Sequence, residues 1–149
     1  MKHYIIDGNN VIHKSKPLSK LFIKDKQSPR EKLIFKIEDF FQGRNVKITV
    51  HYDYFENVPI KASLARIIYS DKKEADENIK KQIADEENRR NLIVVSSDNG
   101  IKTFARKCGC EVISSEDFIK QLLSREKVDE ETIKTKQISN DNWNDIFKE

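Results

Sequence analysis

Apolar positions along the chain follow two rhythms. Five short runs, at residues 3–7 (HYIID), 46–53 (VKITVHYD), 65–70 (ARIIYS), 92–96 (LIVVS) and 111–114 (EVIS), read as β-strands. Several are rich in β-branched residues, which suit a pleated surface. Stretches with a helical repeat separate most of them. Ser28-Pro29-Arg30-Glu31 predicts a helix start, with Ser28 as N-cap, Pro29 in the first helical position and Glu31 in the third. Leu33, Ile34, Ile37, Phe40 and Phe41 then form one apolar stripe, and Gly43 supplies the stop. Residues 72–89, 99–107 and 115–124 predict three more helices, with Gly109 ending the second of these.

Alternating strands and helices predict an α/β domain with a mostly parallel sheet of about five strands and helices on both faces. The expected strand order is 3-2-1-4-5. The link between the second and third strands is short and contains Pro59, which leaves little room for a crossover helix. From Arg125 the composition turns polar, apart from Trp143, Ile146 and Phe147. The expected organisation is one domain over residues 1–124 and an appended tail over 125–149. The three apolar tail residues have the spacing of one amphipathic turn and are expected to dock on the same domain.

Length and composition narrow the class. A chain of 149 residues buries enough surface to fold without a disulfide or metal staple. Hydrophobic residues make up 37% and charged residues 36%, the balance of a highly charged soluble domain with a core. No apolar stretch approaches the ~20 residues that cross a bilayer. Met1-Lys2-His3 leads straight into an apolar strand, without the layout of a signal peptide, so the expected location is cytoplasmic and no membrane partner is expected. Cys108 and Cys110 form a lone C-G-C with no second pair at zinc spacing, and read as free thiols of a reducing compartment. The net charge of +3 permits nucleic acid as a partner without arguing for it.

The informative feature is where the acids fall. Strand one ends in Asp7, strand two in Asp53, and strand four runs into Ser96-Ser97-Asp98. Open parallel sheets bind ligands at the carboxyl ends of their strands, at a switch in strand order. Clustered carboxylates repel, and a cation relieves them. Hard oxygen ligands with little His or Cys suit Mg²⁺ or Mn²⁺ rather than zinc, and a cation so held suits phosphodiester hydrolysis. Each acid also has a plainer role. Asp7 before Gly8 fits a turn, Asp98 fits a helix cap, Asp53 fits a strand end, and Asp71 with Glu74 fits a capping box. Asp76 lies beyond those cap positions, at the margin of the face carrying Ile79 and Ile83. An i, i+4 pair with Lys80 is a weaker reason for an acid there than metal ligation. Asn10 fits either a helix cap or an amide that orients a carboxylate or water. Gly8 fits a tight turn beside a metal or phosphate.

Three segments, IIDGNNVI, KEADENIKKQI and VVSSDNGIKTFARKCGCEVISSEDF, together resemble the NYN nucleases of the PIN-like superfamily, in particular the YacP-like branch. The likeness covers roughly residues 3–122. It falls on Asp7, Gly8 and Asn10, on Glu74 and Asp76, and on Ser97 and Asp98, with Asp53 matching an acid that often closes the second strand. It implies a Rossmann-like sheet and a metal-dependent ribonuclease site. On that basis Asp7, Asp76 and Asp98 are the expected metal ligands, Asn10 is an expected catalytic residue, and Asp53 is a candidate further ligand for Mg²⁺ or Mn²⁺.

A phosphodiester substrate also needs basic residues around the acids. Lys14, Lys16, Lys72, Lys73, Lys102 and Arg106 lie near the motifs in sequence and are the candidates. Tyr54 and Phe55, just past Asp53, are candidates for stacking on a base. The expected function is a metal-dependent endoribonuclease, with RNA as partner and a ribosome- or RNA-processing complex as a candidate setting. Two rivals are an RNA-binding module of the same fold with weak or lost catalysis, and a phosphatase of the haloacid dehalogenase type. The second requires D-x-D, and Asn9 stands at the second acid's position.

Overall fold

The computed structural model describes residues 1–54, 58–70 and 74–124. Its elements are β1 (Lys2–Asp7), α1 (Gly8–Lys14), α2 (Lys16–Lys24), α3 (Gln27–Phe41), β2 (Val46–Asp53), β3 (Ala65–Ser70), α4 (Ala75–Asp85), β4 (Leu92–Val95), α5 (Asn99–Lys107) and β5 (Glu111–Ile113). A last helix, α6, covers residues 115–124. All strand pairs are parallel and the order is β3-β2-β1-β4-β5, as the sequence predicts.

Alternation along the strands sends side chains into two cores. Ile6, Val50, Tyr52 and Val95 face α1, α2, α3 and α6, where Val11, Ile12, Leu33, Ile37, Phe41 and Phe118 meet them. Ile5, Leu92 and Val94 face α4 and α5, which contribute Ala75, Ile79, Ile83, Ile101 and Ala105. The connection from β1 to β2 therefore covers one face and the helices after β3 and β4 the other, so the switch in direction lies between β1 and β4. That is where Asp7 and Asp98 emerge.

Three local expectations need correction. Residues 8–24 form two helices that the apolar pattern did not predict. Ser15 closes the first and caps the second, with its Oγ accepting from Leu18 N. Helix α3 starts before Ser28, because both carboxylate oxygens of Asp25 are used, one by Gln27 N and one by Ser28 N. With those first-turn amides satisfied from outside, Ser28 is a helical residue rather than the cap. Helix α4 is shorter than residues 72–89 and has Glu74 at its N-cap position, so Glu74 is not the third residue of a capping box begun by Asp71. Its first amide, Ala75 N, donates instead to Asp53 Oδ1 at 2.6 Å.

The connection from β2 to β3 has no helix among its described residues. It is tied to α3, where the Glu38 carboxylate accepts from Leu64 N and Ala65 N and the Gln27 side chain donates to Val58 O. The expected tail over 125–149, with Trp143, Ile146 and Phe147, lies outside the described residues. So do Phe55, Asp71, Lys72 and Lys73.

Candidate active site

Asp7 ends β1 and is buried, with 8% of its surface exposed. Its Oδ2 accepts from Ser96 Oγ at 2.9 Å. Burial pushes its carboxyl up to about 6, against an ordinary value of 3.8. The Ser96 hydroxyl opposes that rise, while the charges of Asp53 and Asp98 add to it. Asp7 is thus the carboxylate that the other two strand-end acids act on.

Asp53 is held at three points. Its N–H donates to Asn9 Oδ1 at 2.8 Å, its carbonyl accepts from Arg30 Nη2, and its Oδ1 accepts from Ala75 N. Asn9 and Arg30 are both buried. The Arg30 guanidinium lies 5.0 Å from the Tyr52 ring centre and 5.8 Å from that of Tyr69. These contacts offset part of the cost of burying a cation beside a main-chain oxygen. Neither Asn9 nor Arg30 was marked by the sequence. Asn9 carried a signal only in being a second amide directly after Asp-Gly.

Asp98 caps α5, its Oδ2 accepting from Ile101 N at 3.0 Å, and its own N–H donates to Ser96 Oγ. Asn10 ties β4 to α6. Its Oδ1 accepts from Ser97 N at 2.9 Å and from Ser115 Oγ at 2.6 Å. Asn10 therefore braces the loop that carries Asp98, and its side-chain oxygen is spent on that bracing. Ser97 Oγ accepts from Ser115 N and donates to Glu116, whose carboxyl it lowers.

Asp76 sits in the first turn of α4, one residue past the amide that Asp53 holds. Its Oδ2 is 4.0 Å from Lys80 Nζ, so the i, i+4 pair forms. The same ammonium reaches α5. A Cβ built on Gly100 would lie 3.7 Å from Lys80 Nζ and 3.2 Å from Asp98 Oδ2. The structure thus sets the first turns of α4 and α5, with Asp76 and Asp98, on either side of Lys80.

Gly8 has a different role from the one its motif suggested. It lies in the first turn of α1 with no positive φ. A Cβ there would come within 2.4 Å of Tyr52 Cε1 and 2.9 Å of the His51 carbonyl oxygen. It is glycine because β2 packs against it.

The donor set, carboxylates without His or Cys, fits a hard divalent cation. Among the described residues, however, no three such side chains lie close enough together to hold one as they stand. One oxygen of Asp53 and one of Asp98 serve the amides that open α4 and α5, which leaves one oxygen of each for a ligand.

Of the basic candidates, Lys14 and Lys102 both act on the Glu116 carboxylate and so border the Ser97 end of the site. Lys16 opens α2 and is exposed. Arg106 lies in the last turn of α5, at the far end from Asp98. Behind the acids, a polar line runs under α4. His3 Nε2 meets Thr49 Oγ1, which accepts from Gln82 Nε2, and Gln82 Oε1 accepts from His51 Nε2 at 2.6 Å. Both histidines are held below their ordinary value by burial. Cys108 and Cys110 are free thiols. No helix among the described residues is long and apolar enough to cross a membrane.

Comparison with known proteins gives a consistent pattern. The model of the YacP-like NYN domain matches residues 4–149. Two crystal structures of Rae1 (YacP) from Bacillus subtilis, one of them of a mutant, superpose with a TM-score of 0.75 at 20% identity. The mutant match covers 92% of this chain and 84% of that one, and the other covers 91% and 81%. At that identity the likeness establishes the fold. Among curated proteins, none matches the chain significantly.

Proposed function

The chain belongs to the YacP-like NYN domain family, a nuclease-like domain, and from that premise we propose that it is a metal-dependent endoribonuclease. The observation that carries this reading is the buried Asp7 at the switch point, near enough to Asp53 and Asp98 to feel both charges. A carboxylate kept buried at such a cost is a mark of functional sites.

Asp7, Asp76 and Asp98 would hold Mg²⁺ or Mn²⁺, with Asp53 in support. When bound, the cation would polarise the phosphoryl group, favour ionisation of the attacking water and offset charge on the leaving oxygen. The chain's own residues set the stage for that chemistry. Ser96 orients Asp7 and the Asp98 backbone together. Asn10 fixes the Ser97–Asp98 turn against α6. Asn9 and Arg30 fix the end of β2, and Asp53 holds the first amide of α4, one residue before Asp76. Lys14, Lys16 and Lys102 would attract the RNA backbone, which makes binding fall with added salt. RNA is the proposed partner and the cytoplasm the proposed location.

The test is incubation of an end-labelled single-stranded RNA with the protein in Mn²⁺, in Mg²⁺ and in EDTA. Internal cuts that appear with the cation, vanish in EDTA and are lost in Asp98→Asn support the reading. Asn can still accept from Ile101 N, so that variant should stay folded. RNA bound but uncut under every cation would favour a binding module that has lost catalysis.

A further inference from the structure

Tyr54 follows Asp53 directly, and among the described residues it is the one non-glycine with a positive φ, at 57°. The left-handed region brings Cβ against the neighbouring carbonyl, and Gly or Asn tolerates it better than an aromatic residue. Burial gives the ring nothing in return, since Tyr54 is 51% exposed. The conformation is not the loose end of a strand either. The residue before it is fixed through its N–H by Asn9, through its carbonyl by Arg30 and through its carboxylate by Ala75 N. Those three bonds fix the residue that leads into the turn Tyr54 occupies.

The position thus carries a side chain that its backbone disfavours and that stands half exposed, one residue from an acid of the site. Phe35, another exposed aromatic ring, sits on α3 beside the β2–β3 connection, where nothing shows what covers it. Strained residues held by their surroundings gather where a side chain is used.

We propose that the Tyr54 ring is a stacking platform for a nucleobase of the bound RNA, next to the phosphate that is cut. The inference rests on the ribonuclease reading and adds a contact to the substrate's bases. Every base offers a π-face, so this contact adds affinity without choosing sequence.

The experiment measures binding of a short, labelled single-stranded oligoribonucleotide by fluorescence anisotropy, without divalent ion, alongside thermal melts. Tyr54→Asn relaxes the backbone and removes the ring. Its melting temperature should equal or exceed the parent's, while the Kd rises by roughly 5- to 150-fold, the range for loss of one stacked base. Tyr54→Phe and Tyr54→Trp keep a ring and should keep the parent's affinity. If Tyr54→Asn binds like the parent, the platform is refuted. Binding lost only in step with a lowered melting temperature would also refute it, as that is the mark of a packing role. A parent that neither binds nor cuts RNA would overturn the ribonuclease reading as well. A parent that cuts RNA beside an unaffected Tyr54→Asn would overturn the platform alone.

Discussion

Asp7→Asn should make the metal-free protein more stable and inactive at once. The folded protein raises the Asp7 carboxyl to about 6 from an ordinary 3.8. In the unfolded chain it returns to the ordinary value. Between those two values the folded form holds a proton that the unfolded form has lost, so Asp7 costs stability at neutral pH. The cost is present in full above about pH 6, and it fades as pH falls from there towards the ordinary value. At 1.36 kcal/mol per unit, a difference near two units corresponds to about 3 kcal/mol. Asn keeps an oxygen for Ser96 Oγ and presents its NH₂ group to a neighbourhood containing the Asp53 and Asp98 carboxylates. Most of the cost should therefore be recovered. For a domain of this size about 3 kcal/mol corresponds to a rise of roughly 6–12 °C in Tm. The assay is thermal melting of parent and variant in EDTA at high, intermediate and acid pH. The gap should be large in alkali and close in acid. A variant no more stable than the parent in alkali, or a gap that does not change with pH, would show that Asp7 is not a strained carboxylate.

The same titration predicts that protons compete with the cation, so the Mn²⁺ needed for half-maximal cleavage should rise as pH falls below about 6, by up to about tenfold per unit. A flat requirement would remove Asp7 from the metal site. Asp76→Asn should keep the fold and lose most cleavage; parent-like cleavage would leave Asp76 as the partner of Lys80 alone. Gly8→Ala drives a methyl into Tyr52 and the His51 carbonyl, and should cost about 1–3 kcal/mol as a lowered Tm. An unchanged melt would contradict that packing. Asn9→Ala strips the acceptor from Asp53 N and should cost about 1–3 kcal/mol together with most of the cleavage, whereas full activity would show that Asp53 needs no such support.

The strands were legible because a two-sided parallel sheet writes itself as short β-branched runs, and the acids stood out because they sit where those runs stop. The first two helices were hidden. Gly8, Asn9 and Asn10 are weak helix formers, and Ser15 with Pro17 reads as a break. What makes that segment helical is tertiary: Gly8 fits under Tyr52, and the amides of Asn9 and Asn10 accept from Asp53 and Ser97, residues more than 40 positions away. Arg30 was hidden for the same reason. As one residue among 28 basic ones it has no local signature, and its value lies in reaching the end of β2. The capping of α4 by Asp53 likewise joins two distant segments, so a local capping box was the natural but mistaken inference.

The central claim is that the acids at this edge of the sheet hold a divalent cation. Anomalous diffraction from a crystal of the protein soaked in Mn²⁺ tests it most directly. The account predicts a manganese peak at the carboxyl ends of β1 and β4, contacted by Asp7, Asp76 and Asp98. Asp53 would turn toward the peak or stay on Ala75 N. A peak held by other residues, or none at that edge in a protein that still cuts RNA with Mn²⁺, would contradict it.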